Sequence, residues 1–188
     1  GDNANNLTFT RQAYVGLTGN FGTAVGGRLY TPHYTFVSSL DPFGAGTVGR
    51  YNNVFGGTAA DAGNSIVDPV RVNNAIAYVS PSFGGFTVTG AFSNNALAND
   101  SVAGNAKNNT VYALLGQYAN GPISAGLGYH FIAAGTQLNA VNDVQNIVLG
   151  GSYDFKVVKV SLVADWNEID LAANNVSNAR VSNYLIGA

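Results

Sequence analysis

The chain has 188 residues, a net charge of −2 and only 10% charged residues, where an average soluble domain carries about 25%. Its Lys and Arg stand singly, so no phosphate-tracking stripe exists and nucleic acid is not an expected partner. The absence of cysteine removes disulfides, zinc–thiolate sites and thiol catalysis, and no apolar run reaches the length of a membrane-spanning helix.

In chain order, alternation of apolar and small polar residues predicts about nine strands. They are 7–19, 23–30, 71–82, 85–94, 109–120, 122–132, 144–154, 157–167 and 180–188. Four short turns join successive pairs: Asn20-Phe21-Gly22, Phe83-Gly84-Gly85, Asn120-Gly121-Pro122 and Asp154-Phe155-Lys156. Long polar stretches join the pairs to one another. Short turns on one side and long loops on the other describe a meander of antiparallel strands. At roughly ten residues each, such strands are tall enough to cross a bilayer.

The first strand carries the apolar positions Leu7, Phe9, Val15 and Leu17, and Arg11 shares their parity. The longest interruption, 31–70, follows. Its aromatic and apolar content (Tyr34, Phe36, Val37, Leu40, Phe43, Val48, Tyr51, Val54, Phe55) marks a loop that packs against a surface rather than a solvated tether. In the next pair Arg71 shares parity with Asn73, Ala75 and Ala77, and Phe86, Val88 and Phe92 oppose Thr87, Thr89 and Ser93.

The alternation is cleanest after residue 122. Ile123, Ala125, Leu127, Tyr129 and Phe131 lie on one face, with Ser124, Gly126, Gly128 and His130 on the other. Ile147, Leu149, Gly151, Tyr153 and Phe155 oppose Asn146, Gly150, Ser152 and Asp154. Val158, Val160, Leu162, Ala164 and Trp166 oppose Lys159, Ser161, Asp165 and Asn167. Lys159 and Asp165 are therefore expected on a wet, lumen-lining face. Aromatics near the short turns (Phe83, Tyr118, Tyr153, Phe155) and toward the long loops (Phe92, Tyr129, Phe131, Trp166) suggest the two belts of a membrane wall.

Other chemistry finds little support. His33 and His130 are far apart in sequence, with no carboxylate at metal-ligand spacing, so no metal or cofactor is expected. The glycine-rich stretches open no helix that would cradle a phosphate. No serine sits in a nucleophile elbow, so the reading is not enzymatic.

Several segments together resemble a known family. These are Thr10-Arg11-Gln12-Ala13-Tyr14-Val15-Gly16-Leu17, Gly19-Asn20-Phe21-Gly22, Gly27-Arg28, Asp41-Pro42-Phe43-Gly44, Arg71-Val72-Asn73-Asn74-Ala75-Ile76-Ala77-Tyr78 and Ser80-Pro81-Ser82-Phe83-Gly84-Gly85-Phe86. They are similar to the trimeric general porins of Gram-negative outer membranes, in the beta-proteobacterial branch. The resemblance implies an all-β transmembrane antiparallel barrel, 16-stranded when whole, with 31–70 folded into the lumen as a constriction loop. It also implies passive passage of ions and small hydrophilic solutes, a homotrimer, and contact with the bilayer and lipopolysaccharide. By the same resemblance Arg11 and Arg71, with Arg28, belong to the basic side of the constriction, and Asp41 to the acidic side. A weak anion preference follows.

A full-length member is nearly twice as long and carries opening and closing strands that this chain lacks. The chain also opens on Gly-Asp-Asn without a methionine, and is read as an internal portion of such a barrel. Strict alternation puts Arg11 among apolar residues, and a charge facing lipid at mid-depth costs about 2–4 kcal/mol. Either a bulge near Arg11 resets the parity, or that face lies beneath the inserted loop; the second is preferred. The competing readings are a β-solenoid adhesin, which requires a short fixed repeat not found here, and a barrel enzyme, which requires a clustered nucleophile and base.

Overall fold

Backbone pairing joins every strand only to its sequence neighbours, in one antiparallel sheet of nine strands in the order β1 to β9. The computed structural model describes residues 11–44, 51, 69–94, 96, 109–133, 141–171 and 178–188. Leu7, Phe9, Val48, Val54 and Phe55 lie outside them. The strands are β1 (Ala13–Gly19), β2 (Gly22–Tyr30), β3 (Arg71–Val79), β4 (Phe86–Ser93), β5 (Thr110–Asn120), β6 (Ile123–Ala133), β7 (Val141–Asp154), β8 (Lys159–Leu171) and β9 (Ala179–Gly187). One helix, α1 (Pro32–Leu40), stands between β2 and β3. A solenoid stacks its coils in parallel, so this antiparallel meander removes the adhesin reading.

The two faces of the sheet differ in kind. Cross-strand partners share a face, and one unbroken row reads Leu17, Ala24, Tyr78, Gly90, Leu114, Tyr129, Ile147, Trp166 and Ser182. The large side chains of this row, such as Leu17, Leu114 and Ile147, are exposed. The adjacent row on the opposite face reads Thr18, Thr23, Val79, Thr89, Leu115, Gly128, Val148, Asp165 and Asn183. The outer face is thus apolar and uncovered, whereas the inner face is polar or covered. An exposed apolar face of nine strands is stable only where its solvent is hydrocarbon.

Dimensions agree with that solvent. Strands β5 and β6 have 11 residues each, about 36 Å at the usual rise, which at a tilt near 45° spans a hydrocarbon core of ~25 Å. Two belts of aromatic contacts bound it. Phe86 and Tyr118 meet at 4.6 Å between ring centroids, and Tyr153 and Phe155 at 4.5 Å, toward the short turns. Phe92, Tyr112 and Phe131 form a run at 5.2 and 6.5 Å toward the long loops. The same row continues through Gln145 to the ion pair of Glu168 and Arg180, 3.1 Å apart. Among the described residues, charge returns to the outer wall from this level toward the long loops.

Three differences from the sequence expectations have physical reasons. Strand β7 begins at Val141 rather than 144, and β8 runs to Leu171 rather than 167. Their ladder continues through Asp143 and Asp170, because backbone pairing persists beyond the point where the apolar pattern ends. In β3, Asn73 and Asn74 together oppose Arg28, so the register shifts by one. Asn74 adopts φ 48°, the left-handed conformation that asparagine tolerates in such a bulge. The bulge places Val72, not Arg71, on the same face as Ala75, and both are buried in one cluster. Parity across it therefore does not link Arg71 to Ala75 and Ala77.

Candidate functional site

The helix of the long loop is specified locally. Thr31 caps it, its hydroxyl accepting from the Tyr34 amide at 3.1 Å, and Pro32 occupies the first turn, where a missing amide hydrogen costs nothing. Thr-Pro ahead of an apolar run is a helix-start signal, and reading 31–70 only as a packed loop passes over it.

Phe36, Val37 and Leu40 on α1 are buried against Leu115, Val148 and Val163 of the inner face, with Tyr51. Each such side chain contributes about 1.5–3 kcal/mol through burial. Glycines make the seat. A methyl group at Gly126 would lie 2.7 Å from the Phe36 ring, and one at Gly150 would lie 2.7 Å from Leu40 Cδ1. The glycines on the polar side of these strands are therefore room for the helix. The inserted segment lies on the inner face, across β5 to β8.

A buried polar cluster holds the first turn of α1. Asp165 of β8 accepts from His33 Nε2 at 3.3 Å, from Asn167 Nδ2 at 2.8 Å, from Asn183 Nδ2 at 3.2 Å and from Asn146 Nδ2. Asn146 also donates to Asn167 Oδ1 at 2.8 Å. The two histidine rings, 97 positions apart in sequence, meet edge to face at 5.3 Å. His33 thus has a carboxylate partner that only the fold supplies. Among the described residues no group of three or more His, Cys, Asp or Glu could hold a metal ion. At the other end of the helix, Lys159 Nζ donates to the Ser39 carbonyl at 3.4 Å.

Lys159 and Asp165 do share the inner face of β8, but Asp165 is 1% exposed at its side chain, beneath α1 rather than open to the bore. Asp41, expected as the acidic side of the constriction, is also buried. Its carboxylate accepts the amides of Phe43 at 2.9 Å and Tyr51 at 3.1 Å, so it folds the loop at the end of α1. Asp165 is thus covered by α1, and Asp41 is enclosed by the turn that follows it.

The arginines gather at the long-loop end of three adjacent strands. Arg71 opens β3, its guanidinium carbon 6.0 Å from the centroid of Tyr30. Tyr30 in turn packs on Tyr34, and Tyr34 on Tyr51, at 4.8 and 6.0 Å. Arg28 donates to Asn73 Oδ1 at 2.5 Å, across the bulge. Backbone alternation from Ala24 and Gly26 gives Arg28 the outward parity, and gives the same to Tyr30 and its cross-strand partner Arg71. Alternation therefore places neither arginine with the inner wall; both stand at the rim, where Tyr30 meets Tyr34 of α1. Arg11 is exposed and precedes β1, whose Ala13 pairs with Arg28. The strand pattern therefore stops short of Arg11, and no bulge is needed to explain it. The face of Val15 and Leu17 is the outer one, opposite α1, which overturns the preferred explanation that it lies beneath the loop.

Residues 1–188 match the family model described as Gram-negative porin. Outer membrane porin protein 32 of Delftia acidovorans is 32% identical over 198 residues, covering 99% of this chain and 51% of its own length. An outer membrane porin protein of Bordetella pertussis is 34% identical over 170 residues, covering 82% of this chain and 40% of its own. A solved anion-selective porin from Comamonas acidovorans superposes with a TM-score of 0.71 at 29% identity, over 98% of this chain and 53% of that one. The chain spans about half the length of the relatives it matches.

Proposed function

Because the chain belongs to the Gram-negative porin family and forms β-barrel wall of the bacterial outer membrane, we propose that its nine strands are a sector of a general diffusion pore. The pore passes ions and small hydrophilic solutes down their gradients, with a weak preference for anions. One observation carries the reading: a loop helix is packed on the inner face of a sheet whose outer face is apolar and uncovered. A helix in that place narrows a wet passage, and the large apolar side chains of the outer face are left exposed for contact with lipid or a neighbouring subunit.

The edges of the sheet support a larger wall. Strands β1 and β9 each have one side without a strand partner among the described residues, and lipid does not tolerate open edges. Further strands complete the cylinder. The assembly is a homotrimer, in contact with lipopolysaccharide on its outer leaflet side. Arg11 and Arg71 supply the anion preference, since guanidinium stays charged at any relevant pH and fixed charge at a narrow mouth biases which ion enters. Arg28 stands at that basic rim as a support for the bulge, and Asp41 supports the loop turn at the far end of α1.

Planar-bilayer recording of the protein tests the reading. Stepwise conductance with an anion-to-cation permeability ratio above one is the expected result. Arg11→Gln combined with Arg71→Gln should lower the ratio toward one while leaving channels intact. An unchanged ratio removes these two residues as the selectivity wall, and absence of conductance removes the pore.

A further inference from the structure

The two charged residues on the inner face of β8 stand at opposite ends of α1. Asp165 meets His33 in the first turn, and Lys159 meets the Ser39 carbonyl in the last. A helix carries partial positive charge at its N-terminus and partial negative charge at its C-terminus. The carboxylate therefore faces the positive end and the ammonium faces the negative end. Six positions separate the two on β8, so both fall on one face of the strand. Reversing α1 on this wall would put each charge against the wrong pole.

We propose that Asp165 and Lys159 are positioning residues of the constriction, which fix the seating of α1 along β8 and thereby the cross-section of the bore. The proposal rests on the pore reading for its consequence, but not for its geometry. Apolar burial of Phe36, Val37 and Leu40 explains why α1 adheres to the wall. It is non-directional, and while the link through Thr31 sets which way the helix runs, apolar contact alone does not fix where along β8 the helix comes to rest. The carboxylate is fully engaged at this place, with His33 and the three asparagines Asn146, Asn167 and Asn183 as its donors. The lysine is exposed apart from this reach, so it can be changed without disturbing a core.

A spin label at Thr35→Cys, on the exposed side of α1, reads the seating directly, since the native chain has no cysteine. In the labelled protein the spectrum should be immobilised. Lys159→Met should raise the mobile fraction about two- to fivefold, the loss of one charge–dipole contact, and Lys159→Arg should restore it. Asp165→Asn should raise it further, with heat-modifiable migration confirming a folded barrel. Where Asp165→Asn fails to fold, the Lys159 pair still decides. In bilayers the same variants should broaden the distribution of open-channel conductance. Unchanged label mobility in Lys159→Met and Asp165→Asn overturns the proposal. Mobility that rises in a protein without conductance upholds the clamp and sinks only the pore reading.

Discussion

Gly150 and Leu40 meet where the loop helix sits deepest on the wall, and the absence of a side chain at one is the space for the other. Gly150→Val should lift α1 from its seat, because overpacking a tight contact costs about 1–3 kcal/mol. Liposome-swelling rates for a graded series of sugars should then change relative to wild type, while thermal stability of the barrel falls only slightly. Asp41 gives the companion case. Asp41→Ala removes the acceptor for the Phe43 and Tyr51 amides, and proteolysis after the end of α1 should accelerate severalfold with the strands intact. At this scale the sequence is legible only in part. Gly126 and Gly150 stand on the polar face of their strands in the bare pattern, yet nothing local says that Phe36 and Leu40 fill the gaps. Asp165 and His33 lie 132 positions apart, and an interaction that long leaves no mark in spacing.

Strands carry the clearest signal, because alternation is a direct image of two different solvents on two faces. That is why β6, with odd positions apolar and even positions polar or small as far as His130, is evident from its residues alone. The contrast has a measurable consequence. Leu127→Arg, on the outer face of β6 near mid-height, should cost about 2–4 kcal/mol in urea titrations of the bilayer-folded protein. Thr89→Arg, on the inner face of β4, should cost less than about a third of that. Equal costs would mean that the faces are misassigned. The bulge of β3 shows where alternation misleads. An extra residue at Asn74 shifts the parity of everything before it, and Asn-Asn is too common a pair to announce a bulge. Helix α1 is signalled by Thr31-Pro32 and obscured by the length of the loop around it.

At the scale of the molecule, charge is distributed by height as well as by face. Arg11, Arg28 and Arg71 crowd the long-loop end of β1 to β3. The outer wall holds its Glu168–Arg180 pair at the same end, level with the band of aromatics. Between the belts the outer surface is hydrocarbon-compatible throughout. This arrangement makes sense only if lipid wets one face and water the other, with α1 on the wet side. Cysteine accessibility in native membranes tests that claim most directly, on a background without native cysteine. Cysteines at Thr87, Thr89 and Ala91 should react with a charged, water-soluble thiol reagent, and cysteines at Leu127, Leu149 and Leu162 only with a lipid-soluble one. Reaction of the leucine set with the charged reagent, or silence of the β4 set, would contradict the account.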